Sequence, residues 1–219
     1  MPSEWEIGYQ GIQVMLQISA SQHIGIFPEQ AANWQWIAGA SSAGQHPVKI
    51  LNLFGYTGVA SLFAARSGAV VTHVDASRKA VLQGKRNQAL SGLSDLPIRW
   101  IVDDVSKFIN REIRRENRYG GLILDPPKFG RGPKGEIWKL ENHLDALLAT
   151  CREILEPNPR FAIITTYQVD MSPTELGMSL AGMVPPRADR IEAGEIIQVE
   201  KSSGRHIRQA IFASWAGGL

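Results

Sequence analysis

Four points along this 219-residue chain place chemically useful residues where an apolar run stops. They are the glycine turn Gly55-Tyr56-Thr57-Gly58, Asp75, the pair Asp103-Asp104, and Asp125-Pro126-Pro127-Lys128-Phe129. A glycine turn lets backbone wrap closely around a ligand. Asp75 lies 20 residues after Gly55, the spacing at which a carboxylate takes both hydroxyls of a ribose and disfavours a 2′-phosphate. The turn itself is poorly shaped for a diphosphate. Thr57 stands where a dinucleotide fingerprint needs its second glycine, and Ala60 stands at the third. An adenosine ligand without phosphate satisfies both facts. Asp104 can accept from an adenine amino group, with the Val105 amide beside it, and Asp103 is the alternative contact.

The fourth point reads as an acceptor site. Proline fixes its own backbone and biases the residue before it toward extended geometry. Asp125 should therefore end a strand with its side chain facing a cleft, and the Pro126 carbonyl would join it in accepting hydrogen bonds from a target amino group. Phe129 can stack on a base, Lys128 is a nearby orienting charge, and Arg131, Lys134 and Lys139 can hold phosphates. Plainer readings stand beside these: a Pro-Pro strand exit at Asp125, a helix-starting Asp-Ala-Ser turn at Asp75, and a solvated basic loop after Phe129.

The elements needed to bring these points together can be read from periodicity. Residues 5–18 alternate as a hairpin, with Gly8 and Gly11 allowing the turn. A loop at 23–30 leads into a helix with Pro28 as its first residue. Strands are expected at 48–54, 69–74, Ile98–Val102, a segment ending at Asp125, and 160–165, with a helix after each of the first four. Leu140, Leu144, Leu147, Leu148, Cys151, Ile154 and Leu155 mark one helical stripe. A helix at 174–183 and two strands near Ile191–Val199 and 206–215 close the chain. Alternating strands and helices imply an α/β fold with a mainly parallel sheet covered on both faces. In such sheets ligands bind beyond the carboxyl ends of the strands, which is where all four points fall.

Composition narrows the function classes. The chain is 44% hydrophobic and 20% charged, with a net charge of +2, so nucleic-acid binding must rest on local clusters. One cysteine, Cys151, leaves no disulfide framework or thiolate metal cluster, and a cytoplasmic setting is expected. No signal peptide or membrane-spanning run is visible, so no membrane partner is expected.

The run Val48-Lys49-Ile50-Leu51-Asn52-Leu53-Phe54-Gly55-Tyr56-Thr57-Gly58, with Asp75, Asp103-Asp104-Val105 and Leu124-Asp125-Pro126-Pro127-Lys128-Phe129, resembles the class I S-adenosylmethionine-dependent methyltransferases. The nearer similarity is to the branch related to bacterial large-subunit ribosomal RNA methyltransferases, over about residues 20–219. The resemblance implies a Rossmann-like seven-stranded sheet in the order 3-2-1-4-5-7-6, with a hairpin and a cofactor-closing segment over 1–40 and the methyltransferase domain over 41–219. It implies that Gly55, Tyr56, Thr57 and Gly58 flank the methionine part of S-adenosyl-L-methionine, with Asn52, Phe54 and Asp125 also binding the cofactor. Asp75 and Ala76 would meet the ribose, Asp103, Asp104 and Val105 the adenine, and Phe27, Glu29 and Gln30 would close over the cofactor. No metal is expected, and S-adenosyl-L-homocysteine would be the product.

One departure bears on mechanism. Relatives that methylate cytosine carbon-5 carry a nucleophilic cysteine just after the fifth strand, where this chain has Thr165-Thr166-Tyr167-Gln168. Cys151 lies on an apolar helical stripe and is read as packing. A full PUA RNA-binding domain is not expected either. The expectation is direct in-line methyl transfer to a base of RNA, with ribosomal RNA as partner and Asp125, Pro126, Pro127, Lys128 and Phe129 at the acceptor. The alternatives are a small-molecule or protein methyltransferase, a nicotinamide-dependent oxidoreductase, and a non-catalytic RNA-interaction module.

Overall fold

The computed structural model describes residues 4–18, 24–44, 46–131, 137–186 and 190–217. Strands β1 (Glu4–Tyr9) and β2 (Ile12–Gln17) form an antiparallel hairpin. Its turn is Gln10-Gly11, both with positive φ (46° and 78°), the two-residue geometry that suits strand twist. Gly8, expected in the turn, instead sits within β1 opposite Gln13. A single 3₁₀ turn, Pro28–Gln30, opens helix α1 (Ala31–Ser42).

The units that follow are β3 (Lys49–Leu53), α2 (Val59–Arg66), β4 (Val70–Asp75), α3 (Arg78–Leu90), β5 (Ile98–Val102), α4 (Val105–Arg114) and β6 (Gly121–Leu124). A short hairpin, β7 (Phe129–Arg131) and β8 (Ile137–Lys139), precedes α5 (Leu140–Glu153), β9 (Phe161–Tyr167), α6 (Pro173–Met183), β10 (Ile191–Val199) and β11 (His206–Ala216). The main sheet runs β5-β4-β3-β6-β9-β11-β10. Numbered by chain order within the sheet, this is the expected 3-2-1-4-5-7-6. The first five strands are parallel, and β11 is antiparallel to both β9 and β10. Strand order reverses at β3, between β4 and β6, so the crevice opens above the carboxyl ends of those three strands.

Every residue of β3 after Lys49 is buried, as a strand covered on both faces requires. On one face Leu51, Leu122 and Ile164 meet Phe108, Leu144, Leu148 and Cys151. On the other, Ile50, Val71 and Ile163 meet Ile37 and Ala64. The hairpin contributes Ile12, Val14 and Leu16 to a third cluster with Trp34 and Phe63, whose rings stack at 5.7 Å. Helix α1 runs through the boundary drawn at 40/41 and joins both the hairpin core and the sheet core. Cys151 is fully buried and burial pushes its thiol well above the usual range, which fits packing.

The hairpin β7–β8 is a correction to the sequence reading, which took the glycine- and lysine-rich segment after Phe129 as loop. Its strands are three residues each, too short for a period-two signal. Trp138 anchors it, donating from Nε1 to the Pro127 carbonyl at 2.7 Å and lying 5.5 Å from the Phe54 ring.

Candidate active site

The glycine turn is a tightly held piece of unusual backbone. Phe54 and Tyr56 both have positive φ (57° and 51°), a region that costs a non-glycine residue about 1 kcal/mol or more and persists only when surroundings enforce it. The enforcing contacts are hydrogen bonds from the Gly55 amide to the Val74 carbonyl (3.1 Å), from the Gly58 amide to the Gly55 carbonyl (3.0 Å), and from the Tyr56 amide to Asp75 Oδ2 (2.8 Å). The two glycines answer to close approach. A Cβ on Gly55 would lie 2.4 Å from His73 Cε1, and one on Gly58 would lie 2.4 Å from the Trp100 ring. His73 and Trp100 stand on β4 and β5 with ring centroids 4.5 Å apart.

Beneath the turn runs a polar relay with no solvent exposure to speak of. Asn52 Nδ2 donates to Ser61 Oγ at 2.8 Å, and the Ser61 hydroxyl faces His73 Nδ1 at 3.0 Å. Burial pushes His73 down to about 3, so the ring is neutral and can accept from Ser61. Asn52 also lines the crevice, and this relay engages its Nδ2. Thr57 donates from Oγ1 to the Gly25 carbonyl at 2.7 Å and is almost fully buried. It fills the space that a diphosphate-binding turn leaves open.

Asp75 lies at the end of β4 as expected. Its Oδ1 accepts from the Ser77 amide and its Oδ2 from the Tyr56 amide, each at 2.8 Å. Burial raises its carboxyl above the usual range and these two amides oppose the rise. Each oxygen keeps a lone pair for a ribose hydroxyl. Ala76 is exposed beside it. The two acids after β5 are now distinguishable. Asp103 accepts from the Asp104 amide at 2.8 Å and pairs with Arg111. Asp104 caps α4 through Oδ1, accepting from the Lys107 amide at 2.9 Å, and Val105 begins the helix. Neither acid is brought to the crevice wall that holds Asp125.

The loop before α1 does close the crevice. The Phe27 ring lies 5.5 Å from Tyr56 on one side and 5.5 Å from Tyr167 on the other. Gln30 is buried and donates to the Tyr167 hydroxyl at 2.6 Å. Glu29 is near enough for its charge to act on Asp125.

Across from the glycine turn, the acceptor side is less settled. Asp125 keeps a little residue surface open to the crevice, but Oδ1 is shut from solvent and has no hydrogen-bond partner. Burial first, then the charges of Glu29 and Asp75, push its carboxyl up to about 8. Pro126 is buried beneath it, while Pro127 is exposed and takes the Trp138 hydrogen bond. Lys128 does not serve as a free orienting charge. Its Nζ donates to the Gln168 carbonyl at 2.6 Å, tying this loop to the one after β9, and lies 5.6 Å from the Phe129 ring centroid. Phe129 stands outside the crevice on β7, 62% exposed. Lys139 is exposed on the facing strand. The Arg131 side chain and all of Lys134 lie outside the described residues. Among the described residues no cluster of His, Cys, Asp and Glu could hold a metal ion, and no helix is long and apolar enough to cross a membrane.

Sequence reasoning missed three residues here. Tyr167 ends β9 at the same carboxyl rim as the four points, a signal that was available. Asn33 is a buried amide one position before Trp34 in the helix stripe, and it donates to Gln30 Oε1 at 2.7 Å. Trp138 carried no signal without the short hairpin. At the fifth strand, Thr166 is fully buried with an unpartnered hydroxyl, so there is no thiol where carbon-5 chemistry would need one.

Comparison with known proteins accords with this geometry. The S-adenosylmethionine-dependent methyltransferase family profile matches residues 2–165, so the chain belongs to that family. The crystal structure of a SAM-dependent methyltransferase from Agrobacterium tumefaciens is 41% identical and superposes with a TM-score of 0.89, covering 99% of this chain and 71% of that one. A ribosomal RNA large subunit methyltransferase I from Aeromonas salmonicida is 30% identical over 120 residues, which is 54% of this chain and 29% of that protein. A ribosomal RNA large subunit methyltransferase K/L from Allochromatium vinosum is 28% identical over 210 residues, 90% of this chain and 28% of that protein. The chain thus spans less than a third of the length of these two ribosomal RNA methyltransferases.

Proposed function

We propose that this chain methylates a base of RNA, with ribosomal RNA as the substrate class, by direct in-line transfer from S-adenosylmethionine. The observation that carries the reading is Asp125, whose Oδ1 is buried without a hydrogen-bond partner at the crevice, near enough to Glu29 and Asp75 for their charges to act on it. Among the described residues none of these three acids pairs with a lysine or arginine. Three acids lying close together without a protein cation fit a ligand that is itself cationic, whose charge would draw the proton off Asp125. When bound, S-adenosylmethionine supplies a methyl group on a sulfonium sulfur, already activated for transfer.

The chain's own residues then bind, orient and desolvate. Asp75 holds the ribose hydroxyls, and the 54–58 turn lies along the methionine part. Asp104, which caps its helix through one oxygen, uses the other for the adenine amino group with the Val105 amide beside it. Phe27 excludes water from above. Asp125 faces the acceptor, and the exposed Phe129 ring and Lys139 at the rim offer stacking and charge to a single-stranded substrate. The ribosomal RNA names of the relatives support the substrate class, which would place the chain in the cytoplasm.

Two measurements test this. Calorimetry should show binding of S-adenosylmethionine or S-adenosylhomocysteine and none of NAD, and the reverse result ends the proposal. Labelled methyl should enter RNA purified from a strain lacking the gene. Label confined to protein or small molecules would remove the RNA substrate while leaving the cofactor assignment intact.

A further inference from the structure

Helix α3 (Arg78–Leu90) presents two unlike faces. The buried face holds the fold together. Asn87 accepts from the Met15 amide at 2.9 Å and donates to the Thr57 carbonyl at 3.1 Å, and the Trp100 ring lies against Gly84. The outer face carries Arg78, Lys79, Leu82, Lys85 and Arg86, all exposed. At 100° per residue these five fall within an arc of about 120°. The chain has acids at Asp75 and Asp95 and none between them, and the four cations on this face stand against a net charge of only +2 for the whole protein. Of the four, only Arg86 has an acidic partner among the described residues, Glu4 at 2.9 Å.

This arrangement works against the helix. Arg78 and Lys79 occupy its first turn, where the macrodipole disfavours cations. The adjacent like charges at 78–79 and 85–86 repel. A surface that serves only solubility mixes both signs. The face also begins beside the cofactor crevice. Its cap, Ser77, donates its amide to Asp75 Oδ1 at 2.8 Å, and Lys79 lines a cavity that shares Tyr56 and Thr57 with the crevice.

We propose that the outer face of α3 holds the sugar–phosphate backbone of single-stranded RNA. This rests on the RNA reading above and names the surface with which the chain itself holds that substrate. The pairs Arg78/Lys79 and Lys85/Arg86 lie about 10 Å apart along the helix axis. They take phosphates on either side of a nucleotide whose sugar lies on Leu82, 54% exposed between them. Such contacts fix register without reading sequence. The strand is set beside the crevice, and the crevice chooses the base.

The test is a salt series. Fluorescence anisotropy reads the affinity of the full chain for a labelled single-stranded oligouridylate, with S-adenosylhomocysteine present. Wild type is compared with Arg78→Gln/Lys79→Gln/Lys85→Gln and with a control that loses the same charge from exposed residues elsewhere, Arg114→Gln/Arg118→Gln/Lys201→Gln. At low salt the α3 variant should bind about tenfold more weakly, and its slope of log affinity against log salt should shrink by about two, at roughly 0.7 per lost phosphate contact. KM for RNA from a strain lacking the gene should rise by a similar factor, with kcat and S-adenosylhomocysteine affinity unchanged. Glutamine matches lysine in helix propensity and relieves the first-turn charges, so the variant should melt at or slightly above wild type. The control should leave slope and KM alone.

An unchanged slope in the α3 variant overturns the assignment, as does an equal fall in the control. A lower melting temperature or weakened cofactor binding as the main defect makes the face structural and overturns it too. So does binding of wild type, but not of the variant, to phosphatidylserine vesicles when both hold RNA alike. If the triple variant does not fold, Lys79→Gln and Lys85→Gln alone should each take about 0.7 from the slope, and no change in either overturns the proposal. A wild type that neither binds the oligonucleotide nor labels RNA removes the RNA reading as well. A wild type that labels RNA beside an α3 variant of unchanged slope and KM removes this inference alone.

Discussion

On the wall built by β3 and β4, each group that would meet the cofactor is already held in place. The 54–58 turn is pinned by Val74 and Asp75, bedded on His73 and Trp100, and underlain by the Asn52–Ser61–His73 relay. On the wall built by β6 and β9, the decisive groups are left open. Asp125 Oδ1 has no partner, and Phe129 is 62% exposed. The difference matches what each wall must do. A ligand of fixed shape rewards preorganisation, because little entropy is lost on binding. An acceptor atom that reacts needs polar groups whose hydrogen bonds are completed only when it arrives.

Substitutions on each wall should sort by this division. Gly55→Ala should have the largest effect, since its Cβ would lie 2.4 Å from His73 in a region with no slack. Cofactor affinity by calorimetry should fall about a thousandfold, with stability lowered by roughly 1–3 kcal/mol. Retained affinity would show that the bed under the turn can yield.

Asp125→Asn should cut turnover about a hundredfold or more while sparing S-adenosylhomocysteine affinity. Its pH behaviour sharpens the same point. The carboxyl titrates near 8 in the fold, against about 3.8 ordinarily, so the folded state binds the extra proton. Asp125 therefore leaves the ligand-free protein undisturbed below about pH 4 and costs it stability progressively as pH rises toward 8. The neutral amide of the Asp125→Asn variant removes that cost, on the order of a few kcal/mol, so the variant should melt higher than wild type at pH 8 but not at pH 4. Equal melting temperatures at pH 8 would sink the buried-charge account.

Asp75→Ala should weaken cofactor binding about a hundredfold, losing hydrogen bonds from a charged group to the ribose and its hold on the turn. Phe129→Ala should leave cofactor affinity and stability within experimental error but raise KM for RNA about tenfold, the loss of one stacked base. Cys151→Ala should be the smallest for chemistry, with transfer intact and stability lower by about 1 kcal/mol through lost packing. A dead but folded Cys151 variant would revive the covalent mechanism.

The glycine turn and the strand end at Asp75 are legible in the sequence. Gly55, Gly58 and Asp75 follow buried strands at spacings set by the strand–turn–helix unit. The sheet order was accessible through the resemblance, and the structure reproduces it. The acceptor wall was legible only at Asp125, where two prolines mark the turn. Lys128 looked like a free charge because nothing local shows that Gln168, 40 residues on, offers a carbonyl at 2.6 Å. The Asn52–Ser61–His73 relay was not legible, because Ser61 and His73 are brought to Asn52 only by the packing of α2 and β4.

By itself the sequence determined the strand–helix alternation, the four points on one rim, and a turn that Thr57 shapes poorly for a diphosphate. Each depends on neighbours in the chain or on a repeat that the backbone imposes. The tertiary structure alone decided that Asp103 is spent on Arg111 while Asp104 caps α4 through one oxygen, and that Tyr167, Gln30 and Asn33 form one directed chain. It also decided that Asp125 Oδ1 is buried without a partner. These depend on which groups share a small volume, and therefore compete for the same hydrogen bonds. Residues up to 137 positions apart in the chain meet in that volume, and no local rule reaches that far.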